Sequence, residues 1–500
     1  MVAITTGYAK RMAIRGLTAL TLSTILTASA WGQQPPPAGM PAPPGAPGGM
    51  PPGGMPPGGM PPGGMPPLNR PTSETNFTAA VQVKDGVYLP GKSNPKFVSG
   101  GKVENGSASG IHIASKLDKF NGLYVHGNKS TYTVSNATIA LSGKGSSDFD
   151  GVAAGALVSQ DATLILKNVK ITTNGVVSTA STVMEAGTLK VYHSTLVANG
   201  GPLPSGYVPK IGPGMMEPPT PLRLSGDART TLTMGNAKSY FYDSTIIADG
   251  WGALSTDAAH GVYVEANNCD IRTIKSGYGT YADNGAKVVI NNSKMHTATY
   301  AGVIAGKAAI DLNNDAIVSG GYAVMIHDVM GSTSEVGTLK IKGGAIASRD
   351  AVIFVKSANA DITIDRAKLA SQNGDLILSV INDDANATRV NGQKVSGINV
   401  TLKNAALVGN ILHLDTQRTM SVAFNNTTLK GVIEGAALSL DAGSKWTATA
   451  NSKVILVGSV AIAAIDAPAG VTIAAVAGKG YTLKGTYKLA SGGILTVATK

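Results

Sequence analysis

Three scarcities constrain this chain before any motif does. Cys269 is its one cysteine, so no disulfide can form within it and the fold must stand on packing. Charged residues make up 14% and aromatics 5% of 500 residues. Long helix formers are few, while Gly, Ala, Val, Thr, Ser and Asn fill the chain, a composition suited to tightly stacked strands. After the first thirty residues no long uncharged apolar run of helical character occurs, so no transmembrane segment is expected in the mature chain. P-loop, dinucleotide, zinc and nucleophile-elbow patterns are all missing. A formal net charge of +11 favours anionic surfaces such as acidic polysaccharide or lipid headgroups, or serves only solubility. No nucleic-acid partner is expected.

At the start, Lys10, Arg11 and Arg15 precede the apolar run Leu17–Leu26 and the small-residue site Ala28-Ser-Ala30. This is the layout of a signal peptide over residues 1–30, and it predicts a secreted product, extracellular or periplasmic. Residues 31–72 form a low-complexity linker in which Pro-Pro-Gly-Gly-Met recurs at 51–55, 56–60 and 61–65. Paired prolines extend the chain and Gly-Gly removes any packing surface, so a flexible spacer is expected. Without glycine at every third residue a collagen helix is excluded.

From residue 73 onward one pattern keeps returning. An alternating apolar run meets a small or polar pair, and two residues later comes a large aliphatic, as in Val288-Val-Ile-Asn-Asn-Ser-Lys-Met295 and Val422-Ala-Phe-Asn-Asn-Thr-Thr-Leu429. The aliphatic anchors are Ile139, Ile171, Leu196, Ile246, Ile271, Met295, Ile317, Ile346, Leu369, Leu407 and Leu429. Their spacings are 32, 25, 50, 25, 24, 22, 29, 23, 38 and 22 residues. A basic step of 22–25 residues with β-type alternation signals a solenoid whose stacked units share one core. Leucine-rich repeats have similar periods but need several leucines per unit, and here there are few. A second apolar run after each anchor, such as Ala323-Val-Met-Ile326, gives two or more strands per turn. The predicted fold is therefore all-β, a parallel β-helix over residues 73–435, with C-terminal turns and a cap over 436–500.

In period and turn chemistry this chain resembles the secreted bacterial right-handed parallel β-helix proteins of the pectin-lyase-like superfamily. Asn136, Asn168, Asn268, Asn292, Asn314, Asn404 and Asn426 fall at one place in the repeat. The resemblance implies an asparagine ladder there. From the residues alone, a buried turn needs its amides satisfied and Asn tolerates left-handed backbone, so a structural role is expected. The end of the chain, Trp446–Val454 and Tyr481–Val497, resembles the closing turns of autotransporter passenger domains.

Function is sought in two places. Tyr240, Phe241, Tyr242, Trp251, Tyr263, Tyr278, Tyr281, Tyr300 and Tyr322 crowd into one stretch. Trp251, Tyr300 and Tyr322 each follow an anchor by five residues and Tyr278 by seven, so these four rings should stack in consecutive turns. Facing solvent they would form a strip for sugar rings; facing inward they would be core. The Pro-rich insertion Gly200–Leu222 should leave the ladder as a loop, a candidate lid.

Nearby, Asp257, His260 and Asp283 could supply acid and base for glycoside cleavage, and with Ca²⁺ a lyase becomes conceivable. Turn chemistry explains the same residues more plainly. A polygalacturonase would show Asn-Thr-Asp, Asp-Asp, Gly-His-Gly and Arg-Ile-Lys in that order. Ser255-Thr-Asp257, Ala259-His-Gly261 and Asp383-Asp384 are incomplete and out of order, so no catalytic role carries over. The expected function is a non-enzymatic, adhesin-like protein without cofactor. It would bind polysaccharide or cell-surface glycan through Trp251, Tyr278, Tyr300 and Tyr322. The alternatives are a polysaccharide lyase or glycoside hydrolase, or a structural envelope or matrix protein.

Overall fold

Each alternating run in the repeat becomes a short strand, and each anchor column becomes a row of side chains stacked from turn to turn. The computed structural model describes residues 77–145, 150–202, 229–257, 261–328, 334–381 and 395–499. The chain divides into two units, Met1–Gly64 and Met65–Lys500, and every described residue belongs to the second. The expected leader and linker, His260, Asp383-Asp384 and residues 203–222 of the proposed lid lie outside the described residues.

The described chain is all-β and winds as a parallel β-helix with three faces, its only helical pieces being three short 3-10 turns. One turn runs Gly252–Asp257 on face A, Tyr263–Asn267 on face B and Asp270–Thr273 on face C. The next turn lays Tyr278–Ala282, Lys287–Asn291 and Lys294–Thr297 beside them, parallel and in register. Face A continues in this way from Thr78–Lys84 through Asn410–His413 to the start of Ile433–Leu440, and face B as far as Ile494–Ala498. Parallel strands buried between neighbouring turns need no sequence partner close by. The period alone sets which residues pair.

The anchors form one column on face C. Ile139 pairs with Ile171, Ile171 with Leu196, Leu196 with Ile246, and so on through Ile271, Met295, Ile317 and Ile346 to Leu369. Leu407 and Leu429 resume it, and the column extends to Trp446 and Ile465. All are buried in one continuous core. Each such aliphatic contributes roughly 1.5–3 kcal/mol by burial. Trp446, wholly buried, also donates its indole N–H to the Gly431 carbonyl at 2.9 Å.

The corner from face B to face C is two residues long in turn after turn, and its first residue is left-handed. Asn136, Asn168, Asn268, Asn292, Asn314, Asn404 and Asn426 have φ between 50° and 57°. His193, Asp243, Gly343 and Arg366 take the same place with positive φ. The asparagines are exposed rather than buried, which corrects the expectation of a buried amide ladder. Their backbone N–H groups carry the ladder, Asn292 donating to the Asn313 carbonyl and Asn314 to the Lys342 carbonyl at 2.8 Å. Side-chain links are partial, for example Asn426 to Asn404 at 3.0 Å. Asparagine is chosen because its short amide tolerates left-handed backbone.

Beneath this corner runs a buried column that the repeat pattern did not reveal. The Ser194 hydroxyl accepts from the Val169 N–H at 2.9 Å, and the Ser293 hydroxyl from the Cys269 N–H at 3.0 Å. The Asp315 carboxylate accepts from the Ser293 and Asn313 N–H groups at 2.8 Å. Cys269 occupies a serine's place, and burial pushes its thiol up to about 11. Burial likewise raises the Asp315 carboxyl to about 7.

Both ends of the helix carry antiparallel strands. Val98–Ser99 crosses His112–Ser115 at one end, and Gly485–Lys488 pairs antiparallel with Ile494–Ala498 at the other. Strands running against the stack cover edges that would otherwise pair with another chain.

Candidate functional site

Faces B and C alternate buried and accessible residues, but most strands of face A do not. Phe120–His126, Arg229–Met234 and Tyr300–Ala305 are buried at every position. Their inward residues belong to the main core, while outward residues form two separate clusters. One outward row runs Tyr124, Leu157, Thr182, Leu232, Ser255, Tyr281, Val303, Met325, Phe354 and Leu378 across successive turns.

Loop lengths point to the same side. The four long anchor steps all place their extra residues in connections entering or leaving face A, as between Thr195–Ala198 and Arg229–Met234 or between Asp375–Val380 and Ile398–Lys403. Functional groups concentrate where a rigid scaffold meets loops of variable length.

The four aromatics singled out by register do come together there. Trp251, Tyr278 and Tyr300 share one cluster with Val303, Met325 and Phe354, against which Tyr281 and Tyr322 pack. However, Trp251, Tyr278 and Tyr300 are only 3%, 2% and 5% exposed. They form a floor, so the expected solvent-facing strip reduces to the half-buried Tyr322, joined by Tyr281. Tyr322 stacks on Phe354 with ring centres 4.2 Å apart. The reason lies in local backbone. Trp251 is left-handed at φ 56°, and a Cβ on Gly252 would collide with the Tyr278 ring. Only glycine lets that ring lie across the strand.

Charge gathers beside this floor. The Arg229 guanidinium lies 4.9 Å from the Trp251 ring centre and 3.5 Å from the Asp257 carboxylate. Asp257 ends Gly252–Asp257, and Asp283 follows Tyr278–Ala282 one turn on. The structure thus brings together two of the three residues proposed for acid–base work, both half-buried. Burial, then the negative charge of Asp257, raises the Asp283 carboxyl to about 7. The Thr256 hydroxyl fixes the turn by accepting from the Asp283 N–H at 2.8 Å and donating to the Tyr281 carbonyl at 2.9 Å. Tyr278 and Ser255 hydroxyls meet at 3.0 Å.

The outer side holds two further groups: His327, a polar candidate already in the sequence, and Glu335, which was not one. His327 is fully buried next to Lys356 on the following turn, neither ring nitrogen has a hydrogen-bond partner among the described residues, and burial lowers it to about 4. It is therefore neutral at physiological pH. Glu335 accepts from the Asn284 amide at 3.1 Å. Among the described residues no group of three or more His, Cys, Asp or Glu is placed to hold a metal ion, and no helix is long and apolar enough to cross a membrane.

No protein-family model matches this chain, and comparison with curated proteins finds no match.

Proposed function

We propose that this protein is an exported, surface-acting β-helix of the pectin-lyase-like kind, that it engages glycan, and that the outer side of face A is its working side. The observation that carries the reading is one arrangement: half-buried Tyr281 and Tyr322 stand over an aromatic floor beside the Arg229–Asp257–Asp283 charge cluster. Rings offer apolar faces to sugars, and paired acids with a guanidinium offer both kinds of hydrogen bond to hydroxyls. Trp251, Tyr278 and Tyr300 hold that surface in place from below.

A glycan array tests this with wild-type protein and the variants Tyr281→Ala and Tyr322→Ala. Signal that falls about tenfold in the variants supports the reading. A blank array with folded wild-type protein overturns it and leaves the structural-matrix alternative.

The state of Asp283 favours a second reading, glycoside cleavage. A carboxyl protonated near neutrality beside a carboxylate held by Arg229 is an acid and a base in one place. Asp283 would protonate the leaving oxygen and Asp257 would serve as base or nucleophile. Assays for new reducing ends or unsaturated products on pectins, alginates and glycosaminoglycans, with and without Ca²⁺, decide it. Activity lost in Asp283→Asn and in Asp257→Asn supports cleavage; silence across all substrates removes it.

A further inference from the structure

Face C presents an outward surface unlike those of the other two faces. Four successive strands, Ala316–Ser319, Ala345–Ser348, Lys368–Ser371 and Ala406–Val408, turn only alanine and valine outward apart from Lys368. Val318 and Val408 are 52% and 69% exposed, the latter more than any other large apolar side chain among the described residues. The first three strands pair in register, so Ala316, Ala345 and Lys368 form one row and Val318, Ala347 and Ala370 the next. Ala406–Val408 is the following strand of the same face. A contiguous apolar patch left open to water marks a contact surface.

The charges around the patch decide what it meets. Exposed Lys294 lies one turn before it, and exposed Lys430 and Lys445 lie one and two turns after it. With Lys368 in the middle, four lysines stand outward on this stretch and no carboxylate does. Acids at its margins are already occupied, Asp270 by Arg272, Asp350 by Arg349 and Asp365 by Arg366.

A second copy fits poorly. Whichever in-plane two-fold axis joins two such faces, lysine-bearing ends meet lysine-bearing ends. A nucleic acid or other polyanion needs donors along its whole contact, whereas the middle of this patch offers mostly methyl groups. An anionic bilayer meets both features. Its headgroup phosphates take the ammonium groups, and the lysine stems, alanines and valines lie against the boundary with the acyl chains. The strands from Lys294–Thr297 to Lys445–Thr447 cover roughly 30 Å, enough to meet several headgroups together.

We propose that face C between Lys294 and Lys445 is a docking surface for a membrane rich in anionic phospholipid. It shares no residue with the face A site and stands whether or not that site binds glycan.

The test is co-sedimentation of the full-length protein with sucrose-loaded vesicles of phosphatidylglycerol and phosphatidylcholine in equal parts, against phosphatidylcholine alone. Binding should be at least about tenfold tighter to the anionic vesicles. Each lysine beside such a surface contributes a factor of about five, so Lys294→Glu/Lys368→Glu should bind at least about twentyfold more weakly. Should that variant unfold, Lys430→Glu/Lys445→Glu at the other end carries the same forecast. Val318→Ser/Val408→Ser should lose about fivefold with an unchanged unfolding midpoint, because both side chains are exposed. Lys167→Glu/Lys238→Glu, exposed on face B, makes the same change in net charge and should stay within about threefold of wild type. The proposal is overturned if wild-type protein ignores the anionic vesicles, or if the face B pair matters as much as the face C pairs. It is overturned too if the valine variant binds like wild type while heparin strips the protein from vesicles, since the surface would then be a polyanion site.

Discussion

Faces A and B are cut from the same repeat, yet their outer sides have opposite characters. Tyr263–Asn267 on face B alternates half-buried and buried residues, whereas Tyr300–Ala305 on face A is buried throughout. Strand chemistry does not cause this, because both faces use short parallel strands in the same register. The difference tracks loop length, since the extra residues of the long turns flank face A. A buried outer side can perturb acids and hold a neutral histidine, as Asp283 and His327 show. An open one keeps its tyrosines in partial contact with solvent. The two faces therefore suit different tasks: one concentrates reactive groups, the other leaves its outward side chains within reach of solvent.

The sharpest way to break that contrast is to truncate one aromatic on each face. Tyr278→Ala on face A removes a buried ring whose hydroxyl meets Ser255, and should cost about 3–5 kcal/mol of unfolding free energy. Tyr242→Ala on face B should cost no more than about 1 kcal/mol. Urea unfolding followed by circular dichroism measures both. Equal losses would mean that the two outer sides are packed alike and that the distinction is false.

Titration gives a smaller effect with a definite sign. Asp283 and Asp315 hold their protons more tightly when folded, each raised from 3.8 to about 7. Their contribution to stability is thus fully present below about pH 4 and is lost as pH rises through about 7. Asp283→Asn and Asp315→Ser should each flatten the fall in stability across that window, by on the order of 1–2 kcal/mol. Serine fits at position 315 because Ser293 fills the same column one turn earlier. A slope unchanged in both variants would show that neither acid keeps its proton in the folded state.

Much of this architecture was legible because a solenoid writes its register into its period. The anchors from Ile139 to Leu369 needed only counting, and each proved to pair with the next. The left-handed corner was legible too, since Asn marks it. Burial was not. The corner asparagines are exposed because the backbone, rather than a buried amide, demands them. Ring direction on face A was hidden for a related reason. With both sides buried, alternation disappears and Tyr300 reads the same whether it points in or out. Tyr240, Tyr242 and Tyr263 did alternate with buried Ser239, Phe241 and Val264, so period two already contained the signal for these half-buried, outward tyrosines. The pairing of Asp257 with Asp283 follows from adjacent turns ending at the same corner, which needs the strand ends rather than the anchors.

The two-residue corner from face B to face C offers the finest test, because there geometry alone selects the residue. Asn292 is exposed, has φ 50°, and uses its backbone N–H to reach the Asn313 carbonyl at 2.8 Å. Replacing it by alanine keeps that backbone bond but places a Cβ in left-handed backbone without asparagine's short polar side chain, a cost of about 1 kcal/mol. Glycine accepts the conformation freely but loses more entropy on folding, so Asn292→Gly should fall within about 0.5 kcal/mol of wild type. The order wild type, glycine, alanine in thermal midpoint is the expected outcome. Alanine matching wild type would show that the side-chain amide and the left-handed turn are unrelated, and the same variant scanned at Asn136 or Asn426 would show whether that holds along the whole edge. One turn after Asn426 the same corner lengthens to the four residues 441–444, yet Trp446 still pairs with Leu429, so the left-handed residue rather than the strand register is what the two-residue corner selects.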